Sequence, residues 1–332
     1  MTTILAADIG GTKTLLRLSA VSGNTHHTLF QEHYESQRYS GFSELLEHFL
    51  GLTAASGHLP PAVSCLAVAG PVSADGRSAI VTNLPWRLDS DILSAQLAGN
   101  PVLLINDFFA VACALPALPA GKFVTLQAGV FNAAAPRFVI GAGTGLGMAT
   151  LIPLQQGWRV LPSEGGHSDF APTSILQQQL TRFLSADSGR VSCEMLLSGQ
   201  GLINLDRFFC HLTTEHHDAT SRLPHDSAVQ ITHSAQRGDK QATQAVQLFS
   251  SMLGSTAGNC ALLTLPFGGL YIAGGIAPKI LPWLTDGRFL NALLDKGKMS
   301  SLLTGIPVHI ITDPEIGLEG ALCYAMANEE YQ

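Results

Sequence analysis

Short apolar runs alternate along this chain with segments in which apolar residues recur at helical spacing. The runs predict buried strands at residues 3–7, 62–68, 102–105, 137–140, 270–273 and 308–311. Helical spacing predicts helices over residues 42–52 and 109–115. Residues 241–278 carry no charge, but Gln244, Asn259 and Pro266 interrupt them, which favours a buried helix followed by a strand over a membrane span. The pattern indicates an α/β protein.

The chain is too long for one hydrophobic core, because its 332 residues exceed what a single core usually serves. We therefore expect two domains. Residues 115–121 contain two prolines and a glycine directly after a predicted helix, which makes this segment the expected crossing between them. Charged residues make up only 13% of the chain and apolar residues 46%, so much of it is expected to be buried.

Charge and cysteine usage exclude several classes of partner. The formal net charge is −7 and no basic run occurs, so neither nucleic acid nor an anionic membrane is expected as a partner. Six cysteines are scattered without a Cys-x-x-Cys pair, which favours reduced thiols in a cytoplasmic protein. The first residues lack the basic and apolar regions of a secretory signal. The pairs His26–His27 and His216–His217 lie in polar stretches, and we assign them no metal role.

Two glycine-rich turns follow predicted strands and are the main candidates for phosphate binding. Residues 8–12 read Asp-Ile-Gly-Gly-Thr, and residues 141–147 read Gly-Ala-Gly-Thr-Gly-Leu-Gly. Such turns free backbone amides at a strand end, where an anionic group can bind. Asp8 would repel a phosphate, but it can hold a magnesium ion or its water ligands opposite one. The two turns together predict one nucleotide held between two domains, as in a phosphotransferase.

Other nucleotide-binding motifs do not fit the chain. A dinucleotide fingerprint needs Gly or Ala at its last position, where the two possible registers have Leu146 and Met148. No P-loop sequence occurs either. The pair Gly274–Gly275 follows another predicted strand, and it would let an adenine ring approach the backbone closely.

Asn106 and Asp107 follow a strongly apolar predicted strand and are the first candidates for chemistry. A carboxylate at such a position is costly unless it has a task or a partner. Asp107 also precedes a helical pattern, where its side chain would satisfy free backbone amides as an N-cap. A general base and a helix cap are therefore equally favoured for Asp107.

Further polar residues would suit a polyol ligand. Glu164 and His167 flank two glycines, which would let both side chains converge on one ligand. Glu194 lies near a helix-like segment, where an acidic residue also has the ordinary task of complementing the helix dipole. Asn83 lies close to Trp86, and this mixture suits a sugar as well as a plain turn.

Together these motifs resemble those of the bacterial glucokinases. The matching segments are residues 8–12, 82–86, 105–108, 141–147, 164–172, 197–199 and 273–276, in the same order and at compatible spacing. The string Glu-Gly-Gly-His-x-Asp-Phe-Ala-Pro at residues 164–172 is the most specific of them. The resemblance covers nearly the whole chain.

The resemblance implies the actin-like ATPase (ribonuclease H-like) hexokinase fold, an α/β fold of two domains with a cleft between them. The small domain would comprise residues 1–114 and 317–332, because a C-terminal helix returns to it, and the large domain would comprise residues 115–316. The implied reaction is transfer of the γ-phosphoryl group of ATP to the 6-hydroxyl of glucose with Mg²⁺. The implied enzyme is a cytoplasmic homodimer.

The resemblance also implies site residues. Asp107 would be the catalytic base, and Asp8 would hold magnesium through water. The residues expected to bind the sugar are Asn83, Asn106, Asp107, Glu164, His167 and Glu194. Those expected to bind the nucleotide are Asp8, Gly10, Gly11, Thr12, Lys13, Gly143, Thr144, Gly145, Gly274 and Gly275.

One departure and two alternatives accompany this interpretation. Lys13 and Thr14 after the first turn are similar to the broader ROK family, whose kinases usually carry a cysteine-rich zinc motif after their histidine. Here Asp169 follows His167 and no cysteine cluster occurs, so zinc is not predicted. A kinase for another hexose, such as fructose, mannose or an N-acetylhexosamine, would keep every phosphate-binding element. A non-catalytic sugar sensor is the less favoured alternative, since Asp107 is present.

Overall fold

The computed structural model describes residues 2–23, 25–215 and 222–329, without the side chains of residues 215 and 329. The strands in these ranges are β1 (Thr2–Ile9), β2 (Lys13–Ser22), β3 (Thr25–Glu35), β4 (Val63–Val68), β5 (Ser78–Ile80), β6 (Arg87–Asp89), β7 (Val102–Asn106), β8 (Phe123–Gln127), β9 (Arg137–Ala142), β10 (Leu146–Pro153), β11 (Trp158–Ser163), β12 (Leu270–Ala273) and β13 (Val308–Ile311). The helices are α1 (Phe42–Ala55), α2 (Ser90–Gln96), α3 (Asp107–Ala114), α4 (Ile175–Ser188), α5 (Gly199–Glu215), α6 (Ala228–Gln236), α7 (Lys240–Thr264), α8 (Leu281–Thr285), α9 (Arg288–Leu294), α10 (Ser300–Leu303) and α11 (Ile316–Glu329).

Two compact units divide the chain. The first comprises residues 1–118 and 313–332, and the second comprises residues 119–312. From the sequence we placed the small domain at residues 1–114 and 317–332. Both divisions cut the chain beside the short 3-10 turn Leu115–Ala117 and again close to the start of α11.

The sheet of the first unit has the strand order β3-β2-β1-β4-β7. Strands β1, β4 and β7 run parallel, with Asp8 paired to Ala67 and Ala67 paired to Ile105. Strands β2 and β3 extend the sheet as an antiparallel pair beside β1. Because parallel strands end at the same edge of a sheet, residues at the ends of β1 and β7 lie at one edge.

Helices cover both faces of this sheet. Leu45 and Phe49 of α1 belong to the apolar cluster on one face, and Ala110 of α3 and Leu318 of α11 belong to the cluster on the other. Helices α3 and α11 approach so closely that a Cβ on Gly320 would lie 1.7 Å from the carbonyl oxygen of Ala110. Only glycine allows that contact.

The sheet of the second unit has the order β11-β10-β9-β12-β13-β8. Strands β9, β12 and β13 are parallel to one another, and the other three pair antiparallel. Phe138, Ile140 and Ile272 on these strands share the largest apolar cluster of the unit with Phe249 of α7. This core holds the end of β9 and the start of β10 in place.

The strands and helices predicted from apolar patterning are present. The uncharged stretch at residues 241–278 forms most of α7 and then β12, as predicted. Within the part of the chain that the structure describes, no helix is long and apolar enough to cross a membrane. One boundary differs from prediction, since α3 begins at Asp107 rather than at residue 109.

Candidate active site

The first glycine-rich turn joins β1 to β2 in the first unit. The amide of Gly10 donates to the carbonyl oxygen of Lys13 at 2.9 Å, which closes the turn. A Cβ on Gly11 would lie 2.7 Å from the carbonyl oxygen of Thr82, so the close approach of the two backbones requires glycine. Asn83 follows with a left-handed backbone, at a φ of 64°. The fold thus brings Asn83 next to the turn.

Ser36 braces this turn, and sequence reasoning missed it. Its fully buried side chain donates through Oγ to the carbonyl oxygen of Gly10 at 2.7 Å. Its amide donates to the carbonyl oxygen of Thr12 at 3.0 Å, and Thr14 Oγ1 lies 3.0 Å from the same Oγ. Because two carbonyl groups of the turn are satisfied from behind, the turn is held with its amides available to an anion. A lone serine after β3 gives no local signal of this task.

Asp8 and Asp107, the enclosed acidic pair, lie at the edge where β1 and β7 end. Both residues keep partial exposure to solvent, although protein atoms surround their carboxylates. Burial raises the pKa of Asp8 to about 6. Burial, and next the negative charge of Asp8, raise the pKa of Asp107 to about 7, although a hydrogen bond from the amide of Phe108 acts to lower it. A carboxylate with a pKa near 7 can accept a proton at neutral pH.

The enclosed acidic pair suits a magnesium ion. Burial is the cause of the raised pKa of Asp8, and among the described residues no cationic side chain lowers that pKa. Across the described ranges, no group of three or more His, Cys, Asp or Glu side chains could hold a metal ion. Mg²⁺ keeps several water ligands and takes only one or two carboxylates, together with phosphate oxygens of a substrate. Two carboxylates without a compensating cation therefore fit this ion and its phosphate partner.

The start of α11 packs against Asp8. A Cβ on Gly317 would lie 2.9 Å from Asp8 Oδ2, so the missing side chain makes room for the carboxylate. The buried guanidinium of Arg17 in β2 pairs with Glu315 at 2.6 Å and also with Glu319. These ion pairs anchor the first turn of α11 to the sheet that carries Asp8.

Asn106, and not Asp107, is the N-cap of α3. The Oδ1 atom of Asn106 accepts hydrogen bonds from the amides of Phe108 at 2.9 Å and Phe109 at 3.3 Å, so Asn106 is the N-cap of α3. Its Nδ2 donates to the carbonyl oxygen of Gly70 at 3.2 Å. The prediction that Asp107 caps the helix was wrong, because the side chain of Asn106 accepts the hydrogen bonds from the free amides. Asp107 Oδ1 only accepts from the amide of the next residue, at 3.0 Å.

Trp86 offers no face to a sugar. Its side chain is 2% exposed and packs in the core, with its ring 6.4 Å from that of Phe42. Burial of a large aromatic surface outweighs any use of it at a polar site. Of the polar and aromatic mixture in residues 82–86, the structure leaves Asn83 beside the first glycine-rich turn.

The second glycine-rich turn joins β9 to β10 in the second unit. The amide of Gly143 donates to the carbonyl oxygen of Gly145 at 2.9 Å, and the amide of Gly199 donates to the carbonyl oxygen of Gly143 at 2.8 Å. Thr144, at the tip, is exposed. The turn is thus closed internally and held from behind by the start of α5.

Gly274 and Gly275 follow β12 beside this turn. A Cβ on Gly274 would lie 2.3 Å from the carbonyl oxygen of Ala142, and its φ is 88°, so both space and backbone require glycine. Gly275 is exposed, with nothing within 4 Å of the position of a Cβ. The fold therefore brings this pair to the end of β9, next to the second glycine-rich turn.

Glu164, His167 and Glu194, the polar cluster, lie together in the second unit. The imidazole Nε2 of His167 lies 3.9 Å from Glu164 Oε2, and its Nδ1 lies 3.8 Å from Glu194 Oε1. The exposed fractions of the side chains are 82% for Glu164, 60% for His167 and 32% for Glu194. Three groups that can donate or accept hydrogen bonds therefore converge on one accessible place.

The backbone around the polar cluster is tied to the second glycine-rich turn. The amide of Glu194 donates to the carbonyl oxygen of Gly166 at 2.8 Å. A Cβ on Gly166 would lie 2.1 Å from the carbonyl oxygen of Leu146, so glycine is required there. Glu194 precedes α5 by several residues and its carboxylate accepts from the amide of Leu146, so it is not an acid placed at that helix start.

Both units contain predicted site residues. Those of the first unit are Asp8, Gly10, Gly11, Thr12, Lys13, Asn83, Asn106 and Asp107, and those of the second are Gly143, Thr144, Gly145, Glu164, His167, Glu194, Gly274 and Gly275. All six cysteines are free thiols. His26 lies 3.7 Å from Glu319 rather than among metal ligands, and His216 and His217 lie outside the described residues.

Comparisons with known proteins agree on one family. A family model described as glucokinase matches residues 5–328. The chain is 42% identical to a glucokinase of Trichormus variabilis over 98% of this chain and 99% of that one. It superposes with a TM-score of 0.84 on a crystal structure of glucokinase from an Antarctic psychrotroph, at 30% identity and over 98% and 99% of the two chains.

A more distant structure supports the fold. Glucokinase from Balamuthia mandrillaris, solved in complex with glucose, superposes with a TM-score of 0.78 at 23% identity, over 98% of this chain and 93% of that chain. The actin-like α/β fold implied by the sequence motifs is thereby confirmed.

Proposed function

This chain belongs to the glucokinase family and is an ATP-dependent kinase of glucose, and we propose that Asp107 is its general base. In this proposal Asp107 accepts the proton of the 6-hydroxyl group as that oxygen attacks the γ-phosphorus of ATP. The bond between the γ-phosphorus and the bridging oxygen breaks, and the products are glucose 6-phosphate and ADP.

The single observation that carries the proposal is the placement of Asp107, which follows β7 at the sheet edge where β1 ends with Asp8 and Ile9. Burial and the charge of Asp8 raise the pKa of Asp107 to about 7, and a base works best when its pKa lies near the working pH. An exposed aspartate would be a far weaker base at neutral pH, because its usual pKa is about 4. Phosphoryl transfer asks little covalent chemistry of the protein beyond positioning, charge neutralisation and this proton transfer.

The polar cluster would bind the sugar. Each sugar hydroxyl offers a donor and an acceptor, which suits the two carboxylates and the imidazole of Glu164, His167 and Glu194. An epimer whose hydroxyl points elsewhere would leave one of these groups unpaired, at a cost of about 1–3 kcal/mol. Asn83 and the second Nδ2 proton of Asn106 complete the proposed set from the first unit.

The glycine-rich turns would bind the phosphates of ATP, with Thr12, Lys13 and Thr144 at their exposed tips. Gly274 and Gly275 would give the adenine ring its approach to the backbone. Asp8 would hold Mg²⁺ through water, and the bound ion would neutralise charge on the phosphates. The uncompensated charge of the enclosed acidic pair is what favours this ion.

Two properties of the family are also proposed for this chain. It would act in the cytoplasm, in keeping with its free thiols, and as a homodimer. Light scattering coupled to size-exclusion chromatography gives the mass in solution directly. A mass of one chain, 35.1 kDa, at micromolar concentration would contradict the homodimer.

A coupled assay tests the activity and the base together. Purified protein with Mg-ATP is offered glucose, fructose, mannose and N-acetylated hexosamines, beside the variants Asp107→Asn and Asp75→Asn. Asp75 is an exposed aspartate of the same unit and serves as the matched control. Glucose should be preferred, and only Asp107→Asn should lower turnover, by about 10²- to 10⁴-fold, while circular dichroism shows a folded protein.

Other outcomes would redirect the proposal. A preference for another sugar, with the same loss in Asp107→Asn, keeps the base and changes the substrate. Binding of glucose without turnover would indicate a sugar sensor. Full activity of Asp107→Asn would show that another group takes the proton.

A further inference from the structure

The carboxylate of Glu194 has one oxygen in the polar cluster and one on the second glycine-rich turn. Its Oε2 accepts a hydrogen bond from the amide of Leu146 at 2.9 Å, and Leu146 is the first residue of β10 after the turn. Its Oε1 lies 3.8 Å from Nδ1 of His167. One side chain therefore touches both the group proposed to bind the sugar and the turn proposed to bind phosphate.

Gly145 makes this contact possible. A Cβ on Gly145 would lie 2.5 Å from Glu194 Oε2 and 3.3 Å from its Cδ. The φ of Gly145 is not in the left-handed region, so backbone conformation alone does not require glycine there. The missing side chain instead gives the carboxylate room to reach the amide of Leu146.

The segment that contains Glu194 is bonded to both regions through its backbone as well. The amide of Glu194 donates to Gly166 in the turn of the polar cluster, and the amide of Gly199 donates to Gly143 in the second glycine-rich turn, both at 2.8 Å. Displacement of the Glu194 carboxylate would therefore alter both the polar cluster and the second glycine-rich turn. A charge-assisted hydrogen bond to a backbone amide is also stronger than a neutral one.

We propose that Glu194 couples the binding of the sugar to the binding of the nucleotide. A sugar hydroxyl on Oε1 fixes the carboxylate, and Oε2 then holds the amide of Leu146 and the turn in the conformation that takes phosphate. The inference rests on the proposed function and adds that each substrate tightens the binding of the other. Gly145 is a positioning residue in this device. By thermodynamic linkage, the factor by which glucose tightens ADP binding must equal the factor by which ADP tightens glucose binding.

Calorimetric titration of Mg-ADP, with and without saturating glucose, tests this coupling without turnover. In the wild type, glucose should tighten ADP binding by about tenfold, within the usual range of coupling between two sites. In Gly145→Ala the new methyl group displaces Oε2 from the amide of Leu146, so the ratio of the two dissociation constants should fall to about 1. In the same variant, the affinity for glucose should no longer depend on ADP.

Gly143→Ala is the matched control, because it makes the same change in the same turn where nothing lies within 4 Å of a Cβ. Any weakening of ADP binding in Gly143→Ala should be equal with and without glucose. The ratio of the two ADP dissociation constants should therefore stay at the wild-type value. If thermal melting shows that Gly145→Ala does not fold, Glu194→Asp replaces it. The shorter side chain cannot span both contacts, and the same fall in the ratio is expected.

Different results would overturn the proposed coupling and the proposed catalytic base. The coupling is overturned if the wild type binds ADP equally well with and without glucose, or if it does not bind glucose. It is also overturned if the folded Gly145→Ala variant keeps the wild-type ratio of ADP dissociation constants, even if glucose is phosphorylated. If the wild type binds both ligands with the expected ratio but transfers no phosphoryl group, the coupling stands and the proposed base is wrong.

Discussion

The candidate-site carboxylates of the two units lie in different surroundings. Asp8 and Asp107 are surrounded by protein at the ends of parallel strands, and the pKa of each is raised. Glu164 of the second unit is 82% exposed and Glu194 32% exposed. The first pair costs free energy before any ligand arrives, because no cationic side chain in the described part of the chain offsets its charge. Glu164 is solvated and loses water only when a ligand binds, whereas Glu194 is partly buried and its Oε2 already accepts from the amide of Leu146.

This contrast separates two tasks. An enclosed carboxylate with a raised pKa can take a proton at neutral pH, whereas a carboxylate that solvent reaches can serve as an acceptor for hydroxyl groups. The architecture explains the difference. The first pair is placed by buried strands that end at one sheet edge. Glu164 stands at an exposed position before a 3-10 turn, and Glu194 lies in a loop whose neighbouring side chains, such as Cys193 and Leu196, are buried.

The largest expected difference between the two pairs is in turnover. Asp107→Asn should lower kcat by about 10²- to 10⁴-fold, the range for loss of a general base. Glu164→Gln should instead raise KM for glucose by about tenfold or more, the effect of losing a hydrogen bond to a charged group. Steady-state kinetics on both variants checks this. Equal losses of kcat in the two variants would remove the distinction.

The next largest effect concerns the packing that encloses Asp8. Gly317→Ala places a methyl group 2.9 Å from Asp8 Oδ2, so the carboxylate must move and KM for Mg-ATP should rise by about tenfold, as expected when one charged contact is lost. Gly51→Ala in α1 is the control, because nothing lies within 4 Å of its Cβ. The control should leave KM unchanged and stabilise the helix by about 1 kcal/mol. A normal KM in Gly317→Ala would show that the site tolerates a displaced Asp8.

The pH profile sharpens the comparison further. Because Asp107 must be ionised to act, kcat/KM for glucose should fall as the pH drops below about 7, the pKa of Asp107. The charge of Asp8 contributes to that pKa, so Asp8→Asn should move the falling limb to lower pH. The same limb in Glu164→Gln should stay in place. A limb that does not move in Asp8→Asn would mean that burial alone sets the pKa of Asp107.

The smallest expected effect is on stability. Both acids have a folded-state pKa, about 6 and about 7, above the unfolded value of about 4. The folded protein thus binds more protons than the unfolded chain between about pH 4 and 7, so the free energy of unfolding should fall as the pH rises through that window. Removal of one charge by Asp107→Asn should stabilise the metal-free protein at pH 8 by about 1–3 kcal/mol.

Denaturant unfolding in EDTA at pH 5 and pH 8 measures this effect. Glu164→Gln is the control and should change the free energy of unfolding by less than about 0.5 kcal/mol at either pH, as exposed substitutions do. A wild type equally stable at both pH values would contradict the raised pKa values.

The amino-acid sequence by itself determined the strands, the class of fold and the family. Apolar runs such as residues 102–105 are typical of buried strands in an α/β pattern, and the two glycine-rich turns predicted where the chain leaves a strand. The motif of residues 164–172 pointed to the family that the comparisons confirm. The roles of the site residues stay predictions, because they were taken from the resemblance.

Tertiary structure alone decided the contacts between residues far apart in the chain. Ser36 braces the first glycine-rich turn from behind, Asn106 donates to the carbonyl oxygen of Gly70, and Trp86 is buried. The contact of Glu194 with Leu146 joins residues 48 positions apart. The raised pKa of Asp107 likewise depends on enclosure and on Asp8, which follows another strand. Burial and charge act through distance in space, which spacing along a sequence does not record.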